Sequence, residues 1–421
     1  MDLLIKNGRV IDPAQGIDEV MDIACAKGTI EKVAKKIKPQ GNPRIIDASN
    51  KIVCPGFIDS HCHLREPGRE DEETIKTGAT SAAAGGYTTI MAMPNTDPCL
   101  DTGPMVAFVF NKGRETSISV FPIGAITKNR AGKELTEMAD LVENGAVAFS
   151  DDGNCVADNR VMRRALEYAK MVDRPLIDHP EEPALARNGV MNEGKVSTLL
   201  GLPGIPEESE EIAVFRDITL ASLTENRIHL AHLTSAGSVA LLRQAKKKGV
   251  PVTAEVTVHH LLLTDESVRG YNTNTKVSPP LRTKNDLKSL KEGIKDGIIE
   301  VIVTDHAPHS REEKETDFEN AAFGIIGFET ALPLLLRLTD DIPLSLLIAC
   351  LTSNPARIFR FTDRGSLKKG LRADITIFDP KEEWTLTEAA IKSRSKNTPF
   401  LGEKMQGRVC YTICNGKVVS G

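Results

Sequence analysis

The sequence predicts an α/β protein, a (β/α)8 TIM-like barrel with a smaller β-sandwich domain formed by both termini. Eight short apolar runs alternate with amphipathic segments of helical length through the middle of the chain, the signature of repeated βα units around a parallel sheet. Residues 1–55 and 365–421 read as short strands broken by turns. A length of 421 residues accommodates one domain of about 250 to 300 residues plus a smaller unit.

The β unit is expected to begin with Leu3-Leu4-Ile5, Gly8-Arg9-Val10-Ile11, Asp22-Ile23-Ala24, Ile45-Ile46-Asp47 and Ile52-Val53. It resumes with Ala373-Asp374-Ile375-Thr376-Ile377-Phe378, Val409-Cys410-Tyr411-Thr412 and Lys417-Val418-Val419. Residues 56–364 form the barrel. Its strand candidates are Gly56 to Asp59, Thr88 to Met91, Ser119 to Pro122, Ala146 to Phe149, Pro175 to Ile177, Ile228 to Ala231, Val252 to Glu255 and Glu300 to Val303. Helices such as Asn159 to Met171 and Ser235 to Lys248 fill the intervals, each closed by a Gly or an Asp-Arg-Pro stop.

Composition narrows the function classes. Apolar residues are 40% and charged residues 26% of the chain, ordinary globular usage, which excludes disordered, collagen-like and coiled-coil proteins. A net charge of -5 with scattered Lys and Arg offers no basic stripe, so nucleic acid is not expected as a partner. No run approaches the roughly 20 apolar residues that span a bilayer, and the start lacks a signal-peptide layout; no membrane association and a cytoplasmic location are expected. The 8 cysteines show neither zinc-finger spacing nor a disulfide framework and read as reduced thiols.

The sharpest chemical signal is His61-Cys62-His63, directly after the first barrel strand. Imidazoles at i and i+2 of an extended segment share one face and can reach a single metal ion at about 2.0 to 2.1 Å, whereas Cys62 points the other way into the packing. Further ligand types stand at the ends of separate strand candidates: Asp152, His179, His232 and Asp305. In a (β/α)8 barrel those ends converge on one rim, where active sites are built. Four histidines and two carboxylates so placed suit zinc, with room for a second ion. His229 sits on the opposite face from His232 and reads as structural, and His259-His260 as hydrogen-bonded loop histidines. Of the two histidines flanking Ala307-Pro308, His309 is favoured as a donor aimed at substrate.

With these residues in place, the chain resembles the amidohydrolase superfamily and, within it, the larger (~45 kDa) bacterial dihydroorotase class. The matching segments are Pro55 to Arg65, Met93-Pro94-Asn95-Thr96, Phe149-Ser150-Asp151-Asp152-Gly153, Asp178-His179, Thr304 to His309 and Phe323-Gly324-Ile325-Ile326-Gly327. The resemblance implies a β domain built from both termini, a binuclear zinc site with His61, His63 and Asp305 on one ion and His179 and His232 on the other, and Asp152 as the bridge. Many superfamily members bridge with a carboxylated lysine; here the segment offers Asp151-Asp152, Asp152 being the match and Asp151 a turn support.

On the substrate side the resemblance implies that Arg65 and Asn95 bind a carboxylate, with His63, Ser278, His309 and the Phe323-Gly324 backbone completing the pocket. Ser278 stands where relatives carry Asn, keeping a hydroxyl but losing amide reach. The implied activity is reversible ring closure of N-carbamoyl-L-aspartate to L-dihydroorotate in pyrimidine synthesis, with Asp305 carrying the proton. The implied assembly is a homodimer, in some relatives joined to aspartate transcarbamoylase. Two rival readings are another cyclic amidase (hydantoinase, dihydropyrimidinase or allantoinase) and a silent barrel that scaffolds aspartate transcarbamoylase. The lysine-free bridge, Arg65 and Asn95 speak against the first, the intact ligand set against the second. Residues 310–322, rich in Glu and Lys, read equally as a lid or as a solvated loop.

Overall fold

A computed structural model describes all 421 residues. Eight short parallel strands line up in chain order around a closed ring: Phe57–Cys62, Tyr87–Ala92, Ser119–Pro122, Phe149–Ser150, Leu176–Asp178, Ile228–Leu230, Val252–Thr257 and Val301–Val303. Two bridges complete the circle. Gly124 pairs with Phe149 between the third and fourth strands, and Cys62 pairs with His306 between the first and the eighth. The His63 N–H donates to His306 O at 2.9 Å at that second seam.

The strands are apolar on both faces because each is covered twice, by the barrel interior and by a helix. Met91, Ile123, Ala148, Ile177, Ala231 and Val303 meet inside the ring, and a larger cluster that includes Leu166, Val214, Leu242 and Leu290 seats the helices outside. Helix starts are set locally: the Ser235 side chain accepts from the Ser238 N–H, and Thr74 and Thr77 cap one another reciprocally.

Strands from both ends of the chain join in one eight-stranded sheet. Ile375–Thr385 runs antiparallel to Ile52–Pro55, which lies parallel to Leu3–Asp12. Leu3, Ile5, Val10, Ile23, Val53, Ile375, Ile377 and Ile413 form a separate core on this sheet. Its strand Ile52–Pro55 leads through Gly56 into the first barrel strand, so the sheet anchors the segment that ends in His61 and His63. No helix is long and apolar enough to cross a membrane.

The fifth βα unit departs from simple alternation. Between Leu176–Asp178 and the helix Glu208–Thr224 the chain forms a small parallel pair, Met191–Asn192 with Gly204–Ile205, beside the barrel mouth. The segment 310–322, expected as either lid or free loop, is docked: Phe318 is buried against Val190, Leu202 and Val268, and the Lys314 ammonium donates to Ala322 O at 2.7 Å and Gly324 O at 3.2 Å.

Candidate metal centre and active site

Six side chains from five strand ends converge at the C-terminal rim, and all six are buried: His61, His63, Asp152, His179, His232 and Asp305. Asp152 is at the centre. Its Oδ1 lies 3.3 Å from His61 Nε2, 3.4 Å from His232 Nε2 and 3.6 Å from His179 Nδ1, while its Oδ2 lies 3.6 Å from His63 Nε2. Asp305 Oδ1 stands 3.0 Å from His63 Nε2 and 3.6 Å from His61 Nε2. His61 thus belongs to two groups able to hold an ion, one with Asp152 and His232, the other with His63 and Asp305.

These donors fit a metal. Tetrahedral ligands at about 2.1 Å stand roughly 3.4 Å apart, close to the separations around Asp152. His61 Nε2 and Asp152 Oδ1 are buried with no hydrogen-bond partner, and His179 Nδ1 and His232 Nε2 face each other at 2.9 Å. Buried polar atoms without partners are rare, and here they point at one spot. An imidazole and carboxylate set is the chemistry zinc accepts. Backbone strain aims two of the donors: Asp305 has φ 47° and His232 φ 28°, left-handed conformations that branched-chain sterics disfavour and that cluster at functional sites.

Electrostatics agree with the geometry. Burial would raise the Asp305 carboxyl, but its bond to His63 and the charges at His61, His63 and His232 outweigh it and hold it below the usual carboxylate range. Asp152 follows the same balance, with burial opposed by His61, His179 and His232.

Hydrogen bonds fix the outer faces of the rings. His61 Nδ1 lies 2.6 Å from Glu255 Oε1, and His63 Nδ1 lies 2.8 Å from Asn95 Oδ1. Asp59 accepts from the His61 N–H at 3.1 Å and from the Thr304 N–H and hydroxyl, tying the first strand to the eighth beneath the ligands; burial pushes its carboxyl up to about 7. Asp151 accepts from the Ile126 and Thr127 N–H groups at 2.8 and 3.0 Å and so braces the turn that presents Asp152.

The centre opens into a cavity of about 710 Å³. Its walls include five of the six clustered side chains, His61 lying behind them, together with Arg65, Asn95, Ser278, His309, Phe323 and Gly324. Arg65 Nε donates to Pro308 O at 3.0 Å and pairs with Glu72 at 3.2 Å. His309 Nδ1 faces Glu72 and Glu313 at 3.1 and 2.8 Å, and its Nε2 faces Phe323 O at 2.8 Å. Gly324 spends its N–H on Lys276 O and its carbonyl on Lys314 and Asn397, so of the two backbone amides only that of Phe323 is free to face a ligand.

Several contributors escape a motif reading. Glu255, Glu72 and Glu313 contact expected site residues, yet only Glu255 carries a signal in sequence, an acid inside an otherwise uncharged barrel strand. Lys276 and the insertion residues Asn188, Gly189 and Ile205 line the cavity with no such signal. The other histidines lie apart from the centre: His229 bonds Thr253 and Glu255, His260 bonds Thr257 and Pro279 O, and His306 stacks on Phe328 while facing Glu73. His259 is buried with its Nε2 unpartnered.

Comparison with known proteins agrees with this architecture. Residues 50–238 match the dihydro-orotase-like family model and residues 299–420 an amidohydrolase family model. A dihydroorotase of Geobacter sp. (strain M21) is 49% identical over 423 residues, covering 100% of this chain and 99% of the relative. Those of Endomicrobium trichonymphae and Geobacter metallireducens are 49% and 48% identical with the same coverage. Among solved structures, the L-hydantoinase from Arthrobacter aurescens superposes with a TM-score of 0.89 at 24% identity, covering 100% of this chain and 96% of its own. A dihydropyrimidinase from Brevibacillus agri gives 0.86 at 22%, covering 100% and 95%. At such identities the structural likeness establishes the fold alone, a barrel joined to a sheet, and the full-length sequence likeness establishes the family: the chain belongs to the dihydroorotase family of amidohydrolases.

Proposed function

We propose that the protein is a zinc-dependent dihydroorotase, interconverting N-carbamoyl-L-aspartate and L-dihydroorotate in pyrimidine synthesis. The observation that carries this reading is one cavity lined by two unlike sets: a cluster of histidines around Asp152, and beside it Arg65, Asn95 and His309, a set suited to a carboxylate. A substrate with an amide to be cut and a carboxylate beside it matches both sets.

In this reading His61, His63 and Asp305 would hold one zinc and His179 and His232 another, with the Asp152 carboxylate within reach of both sets. Zinc at such a site, when bound, polarises a carbonyl and makes water acidic enough to act near neutral pH. The chain does the remaining work. Arg65 and the Asn95 amide fix the substrate carboxylate, with His309, the Ser278 hydroxyl and the Phe323 N–H around it. Asp305 takes the proton from the attacking water as the C–O bond forms. It returns that proton to the ring nitrogen as the amide C–N bond breaks, and ring closure runs the same steps backwards.

Purified enzyme offered dihydroorotate, allantoin and dihydrouracil tests the assignment, with turnover of dihydroorotate alone expected; turnover of only the other two overturns it. Metal analysis is expected to find zinc. We read the working unit as a cytoplasmic homodimer able to join aspartate transcarbamoylase, which light scattering with and without that enzyme tests.

A further inference from the structure

Glu255 is the one acidic side chain in the middle of the seventh barrel strand, Val252–Thr257, and it is fully buried. A carboxylate in such a place is costly unless donors meet both its oxygens. They do: Oε1 lies 2.6 Å from His61 Nδ1, and Oε2 lies 3.0 Å from the Ser60 hydroxyl and 3.1 Å from His229 Nε2. Because an ionised carboxylate only accepts, each of these neighbours donates.

Tautomers follow from that polarity. His229 donates from Nε2, so its Nδ1 accepts the Thr253 hydroxyl at 2.7 Å. His61 donates from Nδ1, so its Nε2 carries the lone pair, and that is the nitrogen 3.3 Å from Asp152 and 3.6 Å from Asp305. The result is a line of hydrogen bonds through the barrel interior, Thr253 to His229 to Glu255 to His61, ending at the metal centre. His229, stacked edge-on against Phe359, is otherwise a buried histidine with no task.

We propose that Glu255 is a positioning residue for the metal centre, fixing the ring plane and tautomer of His61, and that His229 and Ser60 hold Glu255 in register. This rests on the metal reading above. Partners of this kind behind a ligating imidazole typically contribute 10- to 100-fold in metal affinity. Glu255→Gln keeps the shape but places an amide N–H where His61, Ser60 or His229 must donate.

The test is competition for zinc between metal-stripped protein and a fluorescent chelator, alongside thermal melts of the metal-free forms. Wild type is expected to take zinc tightly, and Glu255→Gln to bind it about 10- to 100-fold more weakly. Ser60→Ala and His229→Gln are expected to show smaller losses in the same direction. Excess zinc should restore much of the kcat of Glu255→Gln with KM for dihydroorotate unchanged. Wild type that takes up no zinc defeats the metal reading itself. Tight zinc binding by wild type and Glu255→Gln alike overturns the positioning role, as does a lowered melting temperature with unchanged zinc affinity. If Glu255→Gln does not fold, Ser60→Ala and His229→Gln decide, and wild-type affinity in both overturns the proposal.

Discussion

Asn95 Oδ1 and His63 Nδ1 are joined at 2.8 Å. The imidazole nitrogen donates, so the Asn95 carbonyl is committed to a metal-side ring while its NH2 group is left for the cavity that Asn95 lines. One side chain therefore couples the two sets that line the site. A change at Asn95 is therefore expected to disturb both the orientation of His63 and, in the proposed function, the reception of substrate.

Asn95→Ala is expected to raise KM for dihydroorotate by about 10-fold, the effect of losing a hydrogen bond of about 1.5 kcal/mol to a charged group. Asn95→Asp is expected to be worse, because it sets one carboxylate against another. Steady-state kinetics on both variants check this; an unchanged KM in both refutes the substrate role of Asn95.

Asp305→Asn removes the proton acceptor while keeping its volume. A loss in kcat of about 10²- to 10⁴-fold is expected, the range for a positioned acid or base. Metal content measured on the same preparation separates a chemical defect from a binding one. Wild-type kcat in the variant refutes the assignment.

Lys314 gives a pH signature. It is 4% exposed and donates to two carbonyls, and burial, assisted by the charge of Lys276 and opposed by Glu313, pulls its ammonium from 10.5 down to about 7. Between pH 7 and 10.5 the unfolded chain therefore binds more protons at this position than the folded one. Folded stability rises with pH across that window, by no more than about 1.4 kcal/mol per unit for one group. Below pH 7 both states are charged and the burial penalty is felt in full. Melting wild type and Lys314→Met side by side from pH 6 to pH 9 should show the difference moving in favour of wild type; parallel profiles contradict the shift.

Gly324 is at φ 146°, and a Cβ there falls 2.7 Å from Ala307 Cβ and 3.0 Å from His309 Cδ2. Gly324→Ala is expected to cost about 1 to 3 kcal/mol of stability through the strained backbone. It is also expected to raise KM by pressing on His309. Urea unfolding and kinetics measure the two effects, and a variant equal to wild type in both shows that the loop yields freely.

The cluster around Asp152 was legible because strand ends and ligand residue types coincide: His63, His179, His232 and Asp305 each stand just beyond a barrel strand, and His61 is the second-last residue of the first. The fourth strand, expected at Ala146 to Phe149, is regular only over Phe149–Ser150, although the Val147 N–H donates to Pro122 O and Ala148 O accepts from the Gly124 N–H of the neighbouring segment. Gly145, at φ 113°, keeps the chain turning just before it. The helix Glu208–Thr224 gave no clear stripe, because Ser209, Glu210 and Asp217 lie on its buried face: Glu210 accepts from the Thr234 and Ser235 N–H groups and Asp217 pairs with Arg216. Polar residues doing buried work defeat a reading based on hydrophobic period. Glu72 and Glu313 were missed because each also reaches across the chain, Glu72 to His309 and Glu313 to Arg69, and Lys276 because its ammonium donates to the distant Glu319 O.

The seam where the first barrel strand meets the eighth, at Cys62 and His306, also sets a timetable. His63 and Asp305 touch across it although 242 residues separate them in the chain. Asp305 is the last of the six clustered side chains to be translated, so a nascent polypeptide that already carries the other five still lacks the acid proposed to move the proton.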